Sequence, residues 1–210
     1  MNIKQILNIN EVVQSILNQV DTCTIDNCPV LVGYPAGGCA RDVLYGASTK
    51  DVDILVPMRE YLSESEAFYI AESICDYLRR VLDAPAYCIF AYQRGETEKG
   101  HDFDERLYFC VKTCINGVDV DILGSRYGSI NEIIDNFDCT MNQVYIDPVQ
   151  GELVGSKVTE LEWLKPVPDA RVIRMQDKFI KLVLGKLQCS IGIPRKGLNM
   201  AAQINPRVNI

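Results

Sequence analysis

The chain has 210 residues, 48% of them hydrophobic and 23% charged, ordinary globular proportions that exclude a disordered polypeptide. A net charge of -7 argues against a grip on a long DNA duplex, which needs many phosphate contacts. No apolar run approaches the roughly 20 residues needed to cross a bilayer. Residues 1–5 run into Asn8, Asn10 and Glu11 instead of a signal-peptide stretch, so a cytoplasmic protein with no membrane partner is expected.

In chain order, Ile6, Val13, Ile16, Leu17 and Val20 trace the apolar stripe of an opening amphipathic helix. Residues 29–34 (PVLVGY) read as a buried strand, and Gly37-Gly38 leads from it into a helix over 41–45 that stops near Gly46. Residues 51–56 (DVDILV) form a second strand, ended by Pro57. Ser63 and Glu66 have capping-box spacing ahead of a long helix with apolar positions at Ala67, Ile70, Ala71, Ile74, Leu78, Val81 and Leu82. Three strands follow, over 87–92, 106–113 and 118–123, the last two joined by the hairpin signal Asn116-Gly117. A turn or short helix near 138–142 leads to a strand over 144–146. A basic helix over 169–187 closes the ordered part, and the tail from Ile191, with Pro194 and Pro206, reads as loosely structured. This order predicts an α/β or α+β domain around one mixed sheet.

Nine cysteines, odd in number and scattered, favour reduced thiols. Cys23-x4-Cys28 and Cys110-x3-Cys114 lack zinc-knuckle spacing, and the single histidine, His101, sits in a polar turn with no assigned role. Charge is distributed unevenly. Residues 165–207 hold nine lysines and arginines against Asp169 and Asp177, so the rest of the chain is strongly acidic. The basic segment either meets an anion such as phosphate or neutralises the acidic body.

Three features carry chemistry. Gly37-Gly38 at a strand-to-helix junction lets backbone approach a ligand closely, and free N–H groups at the helix start favour a phosphate; a tight turn needs the same residues. Asp51-Val52-Asp53 places two carboxylates on one face of a strand with Val52 on the other. Hard oxygen donors at that spacing suit Mg²⁺ or Mn²⁺. Asp119-Val120-Asp121 repeats the pattern on a later strand expected to lie beside the first, so a third carboxylate completes a two-metal cage.

Gly37-Gly-Cys-Ala-Arg-Asp42 followed by Asp51-Val-Asp53 resembles the G-G-x-x-R-D … D-x-D signature of the DNA polymerase β-like nucleotidyltransferases. More narrowly, it is similar to the head domain of class II CCA-adding tRNA nucleotidyltransferases and bacterial poly(A) polymerases. That family's carboxylate-x4-Arg pattern falls on Asp121 and Arg126, which favours Asp121 over Asp119 as the third ligand. Its R-R-D-F-T-x-N-A motif falls on residues 136–143, where Asp138, Thr140 and Asn142 match and Asn136 and Phe137 replace the two arginines. A helical motif of basic residues is kept at Arg171, Arg174, Lys178 and Phe179, while Val167 and Pro168 stand where the family has an acidic pair.

The resemblance spans residues 30–184 and implies a polymerase β-like palm with flanking helices and a basic C-terminal helix. It implies a catalytic head over 1–164, and a basic helical extension over 165–210 packed on the same domain. The chain reads as a head domain standing alone, without the helical domains that hold tRNA in the family. By the same resemblance Asp51, Asp53 and Asp121 are catalytic and bind two Mg²⁺ ions. Gly37, Gly38 and Arg41 hold the triphosphate, and Asp138 and Asn142 contact its sugar or base. Arg171, Arg174 and Lys178 neutralise phosphates. The implied reaction transfers a nucleoside monophosphate from ATP or CTP to an acceptor hydroxyl, an RNA 3′-end such as that of tRNA. The alternatives are nucleotidylation of a protein or small molecule, or a catalytically silent nucleotide-binding module.

Overall fold

A computed structural model describes residues 1–22, 30–59, 62–90 and 106–184. Cys23, Cys28, His101, residues 91–92 of the expected third strand, residues 185–187 and the tail from Ile191 lie outside the described residues.

The first helix, α1 (Ile3–Leu17), starts where Asn2 and Gln5 cap each other, each side chain accepting from the other's backbone N–H. Its buried Ile6, Ile9, Val13, Ile16 and Leu17 follow the expected three-and-four spacing. The helix α2 (Gly38–Leu44) begins three residues before the expected start. In α3 (Glu64–Val81) the Ser63–Glu66 capping box is formed as its spacing predicts.

Five strands make the main sheet: β1 (Tyr34–Pro35), β2 (Asp51–Pro57), β3 (Ala86–Phe90), β4 (Leu107–Ile115) and β5 (Val118–Ser125). Their spatial order is β1-β2-β5-β4-β3, with β2 and β5 parallel and the other neighbours antiparallel. This is the mixed sheet the element order predicts. Val52, Ile54 and Val56 of β2 join Val120 and Ile122 of β5 and Phe109 and Val111 of β4 in one core with the apolar stripes of α1 and α3. The alternate residues of β2 and β5 face the other way, and Asp51, Asp53, Asp119 and Asp121 are among them.

The hairpin between β4 and β5 turns on Asn116 (φ 54°) and Gly117 (φ 76°), two left-handed residues in a row, which matches the right-handed twist of the strands. Ile115 therefore stands opposite Val118, and the pairs follow from it as far as Phe109 opposite Gly124, where a bulge shifts the register so that Leu107 meets Ser125.

The strand expected over 29–34 is not formed; among its described residues only Tyr34 pairs with β2. The backbone before it is satisfied by side chains of α1. Gln14 accepts from the Gly33 N–H and donates to the Leu31 carbonyl, while Asn10 donates to the Gly33 carbonyl. Gly33 also leaves no space for a side chain, since a Cβ there would lie 2.8 Å from Ile54 Cγ2.

After β5 a short helix, α4 (Ile130–Asp135), forms although the hydrophobic pattern gave no cue for it; Ser129 and Glu132 supply its capping box. A 3₁₀ turn at Thr140–Asn142 occupies the place expected for a turn or short helix. Strands β6 (Tyr145–Ile146) and β7 (Leu153–Val154) then pair as a small separate ribbon.

The chain divides into two compact units, Met1–Pro168 and Asp169–Ile210. The second contains α5 (Asp169–Phe179), which passes into a π-helical stretch at Ile180–Leu184 instead of running on regularly. The wider π turn changes the angular step after Phe179, so the basic arc of Arg171, Arg174 and Lys178 does not extend regularly to Lys181. Ile173 of this helix is 60% exposed. Among the described residues no helix is long and apolar enough to cross a membrane.

Candidate active site

The parallel pairing of β2 with β5 sets Asp51 opposite Asp119 and Asp53 opposite Asp121. With strands about 4.8 Å apart, the two D-x-D patterns become one patch of four carboxylates. The buried residues between them, Val52, Val120, Ile54 and Ile122, hold that registration, because a slip by one residue would turn acids into the core. The patch opens into a cleft of about 460 Å³ whose lining includes Asp51, Asp119, Asp121, Lys112 and Tyr87.

The glycine loop abuts this patch. Ala36 N–H donates to the Asp53 carbonyl and Gly37 N–H to the Val144 carbonyl, pinning the loop between β2 and the segment before β6. Gly37 has φ 61°, a left-handed conformation that glycine adopts without strain. A Cβ on Gly38 would lie 3.9 Å from Asp53 Oδ2 and 3.8 Å from an Arg41 guanidinium nitrogen. Gly38, Arg41 and Asp53 are thus brought together, while Gly37 faces the Phe137 ring.

Arg41 itself is only 8% exposed, and its guanidinium is engaged within the fold. It donates from Nε to Asp42 Oδ1 at 2.9 Å and from Nη1 to Asn142 Oδ1 at 2.7 Å. Asn142 Nδ2 in turn donates to Asp138 Oδ1 at 2.8 Å. Asp138 and Asn142, expected at a sugar or base, are both buried and form one chain of hydrogen bonds with Arg41 and Asp42, tying α2 to the 3₁₀ turn. Arg171, Arg174 and Lys178 lie in the second compact unit.

Burial pushes the Asp53 carboxyl up to about 6, and the negative charges of Asp121 and Asp51 add to the shift. Lys112 and Arg41 pull the other way without compensating. The donor set is therefore all carboxylate oxygen with a shortage of positive charge, which fits a hard divalent cation such as Mg²⁺ or Mn²⁺. The cage expected of Asp51, Asp53 and Asp121 is aligned on one face, but its side chains are not drawn together. Among the described residues no three acidic, histidine or cysteine side chains converge closely enough to hold an ion as they stand. The Asp121 carboxylate instead meets Lys112, whose Nζ lies 2.5 Å from Oδ2. Lys112 is the site-facing residue that motif reading passes over. Its signal was present in the hairpin, because counting back from Asn116-Gly117 puts Lys112 opposite Asp121.

Asp53 has a consequence for stability. Its folded-state value of about 6 lies above the ordinary 3.8, so the folded protein binds that proton more tightly than the unfolded chain. Stability from this group is highest below about pH 4 and is lost as the pH rises through about 6. In EDTA, Asp53→Asn is expected to raise stability by about 2–3 kcal/mol above that range, with the gain closing towards pH 4. Urea titrations at a series of pH values read this directly. A gain independent of pH would remove carboxylate repulsion as its cause.

No protein-family model matches the sequence, nor does any curated protein. Solved structures do. A tRNA-processing enzyme in an apo form is 21% identical over 71% of this chain and 32% of its own, with a TM-score of 0.42. A tRNA nucleotidyltransferase complexed with a primer tRNA and an incoming ATP analogue is 21% identical over 69% of this chain and 34% of its own, with a TM-score of 0.40. The Thermotoga maritima CCA-adding enzyme complexed with tRNA is 20% identical over 70% and 29%, with a TM-score of 0.38. The chain spans about a third of the length of these proteins.

Proposed function

We propose that the protein is a divalent-metal-dependent nucleotidyltransferase. It transfers a nucleoside monophosphate from ATP or CTP to an acceptor hydroxyl, with pyrophosphate leaving. The observation that carries this reading is the β2–β5 register, which sets Asp53 beside Asp121 on one face next to Gly38. The G-G-x-x-R-D … D-x-D resemblance supports it from the sequence side.

Asp51, Asp53 and Asp121 would hold Mg²⁺. When bound, that ion supplies charge neutralisation at the triphosphate and activates the acceptor hydroxyl. The chain's own residues do the rest. Gly38 leaves room beside Asp53 for phosphate oxygens, and Gly37 supplies the positive φ of the loop that precedes it. The Arg41–Asn142–Asp138 chain ties α2 to the 3₁₀ turn, which would keep the nucleotide's sugar side preorganised. Arg171, Arg174 and Lys178 supply positive charge for phosphates of nucleotide or acceptor. The acceptor that the family resemblance suggests is an RNA 3′-end, with tRNA first among RNAs.

The test is incubation with each α-labelled NTP and Mg²⁺ or Mn²⁺ in the presence of total RNA and of cell protein. Label in RNA, with products sized at nucleotide resolution, is the expected result. Label confined to protein would replace the RNA acceptor by a protein side chain. No label in either fraction with any NTP and either metal would sink the transferase reading.

A further inference from the structure

Lys112 is the only basic residue of β4, and it points at the carboxylate patch. Register places Lys112, Asp121 and Asp53 in one row across β4, β5 and β2. The ammonium therefore approaches Asp121 from the strand opposite to the one that carries Asp53. In the proposed site Asp53 and Asp121 would both hold the divalent ion, so the ion and the ammonium would compete for the same carboxylate.

We propose that Lys112 is a tethered counter-cation that competes with the divalent ion for Asp121 and so sets the metal affinity of the site. This rests on the metal-dependent reading given above and adds a residue that the reading does not require. Three observations carry it. The pair is short, at 2.5 Å. Both side chains remain about one-third open, 35% and 30%, so water reaches the pair and exchange needs no unfolding. The rest of the patch, Asp51, Asp53 and Asp119, bears the same sign as Asp121, so one ammonium offsets only part of the charge. Lys112 keeps the metal-free protein from holding four unbalanced carboxylates, and in return the incoming ion displaces it.

The experiment is titration of the full nucleotide-free chain with Mn²⁺, followed by electron paramagnetic resonance of the free ion, with thermal melts in EDTA and in Mn²⁺ alongside. Wild type is compared with Lys112→Met, Lys112→Gln and Lys112→Arg. Both neutral variants are expected to bind Mn²⁺ about tenfold more tightly. They melt lower than wild type in EDTA and gain more on adding Mn²⁺. Lys112→Arg keeps the charge and stays near wild type. Unchanged or weaker Mn²⁺ binding in the neutral variants overturns the role of Lys112 while leaving the metal site standing. Absence of Mn²⁺ binding in every protein, wild type included, overturns the metal reading itself and this inference with it.

Discussion

Replacing Asp53 by alanine is expected to lower nucleotide transfer by about 10³-fold or more, because it removes a central ligand from the proposed metal site, whose ion would supply several kcal/mol of transition-state stabilisation. The fold should survive. Asp53 points away from the core that its neighbours Val52 and Ile54 complete, and the wild-type protein holds its carboxylate at a cost. Far-UV circular dichroism should match wild type, and the melting temperature in EDTA should not fall. Asp121→Asn should approach the same loss, whereas Asp119→Asn, exposed and opposite Asp51, should lose much less. Initial rates under saturating Mg²⁺ separate these cases. A fully active Asp53→Ala protein would mean that the chemistry lies elsewhere.

Arg41→Met should produce the largest loss of stability. The guanidinium lies in a buried setting with Asp42, 5% exposed, and Asn142, 4% exposed. Removing the cation from a buried pair costs about 3–5 kcal/mol, because the carboxylate stays behind in the interior. For a chain of this size that is a drop in Tm of roughly 6–20 °C. Arg41→Lys should recover only part of it, since one ammonium cannot address Asp42 and Asn142 with the same fixed fork. Urea denaturation monitored by fluorescence of the single Trp163 measures the change. A shift of under about 1 kcal/mol, the scale of an exposed pair, would show that the network contributes little.

Legibility from sequence followed the range of the interactions involved. The Ser63 capping box, the apolar stripes of α1 and of α3 as far as Leu78, and the Asn116-Gly117 hairpin are local, and each stands where its pattern predicts, whereas Val81 and Leu82 at the end of α3 are exposed. The alternation in DVDILV and VDVDIL fixes which side chains share a face, so the carboxylate patch is readable once the two strands are set side by side. The run 29–34 misled because hydrophobicity alone cannot tell a paired strand from a segment whose backbone is bonded by side chains; Leu31 is buried but Val30 is 81% exposed. Gln14 and Asn10 play that part from a helix earlier in the chain. The α4 capping box at Ser129 and Glu132 was visible, but only six helical residues follow it, too few for a periodic stripe. Beside the adjacent Asp42, Arg41 has a partner 101 positions away, and no local pattern announces Asn142 as the acceptor of a guanidinium hydrogen bond. Rotamers were equally out of reach: the sequence aligns Asp121 with both Asp53 and Lys112, and the coordinates show which of the two its carboxylate meets.

The parallel union of β2 and β5 also orders events during synthesis. A nascent chain exposes Asp51 and Asp53 long before β5 emerges from the ribosome, whereas the β4–β5 hairpin can close within a few residues of its turn. Lys112 and Asp121 therefore meet early, through local chain closure, and β2 is joined afterwards by a long-range step. Half-made chains carry a lone acidic strand without its counterpart, so the proposed metal site is assembled only at the end of folding.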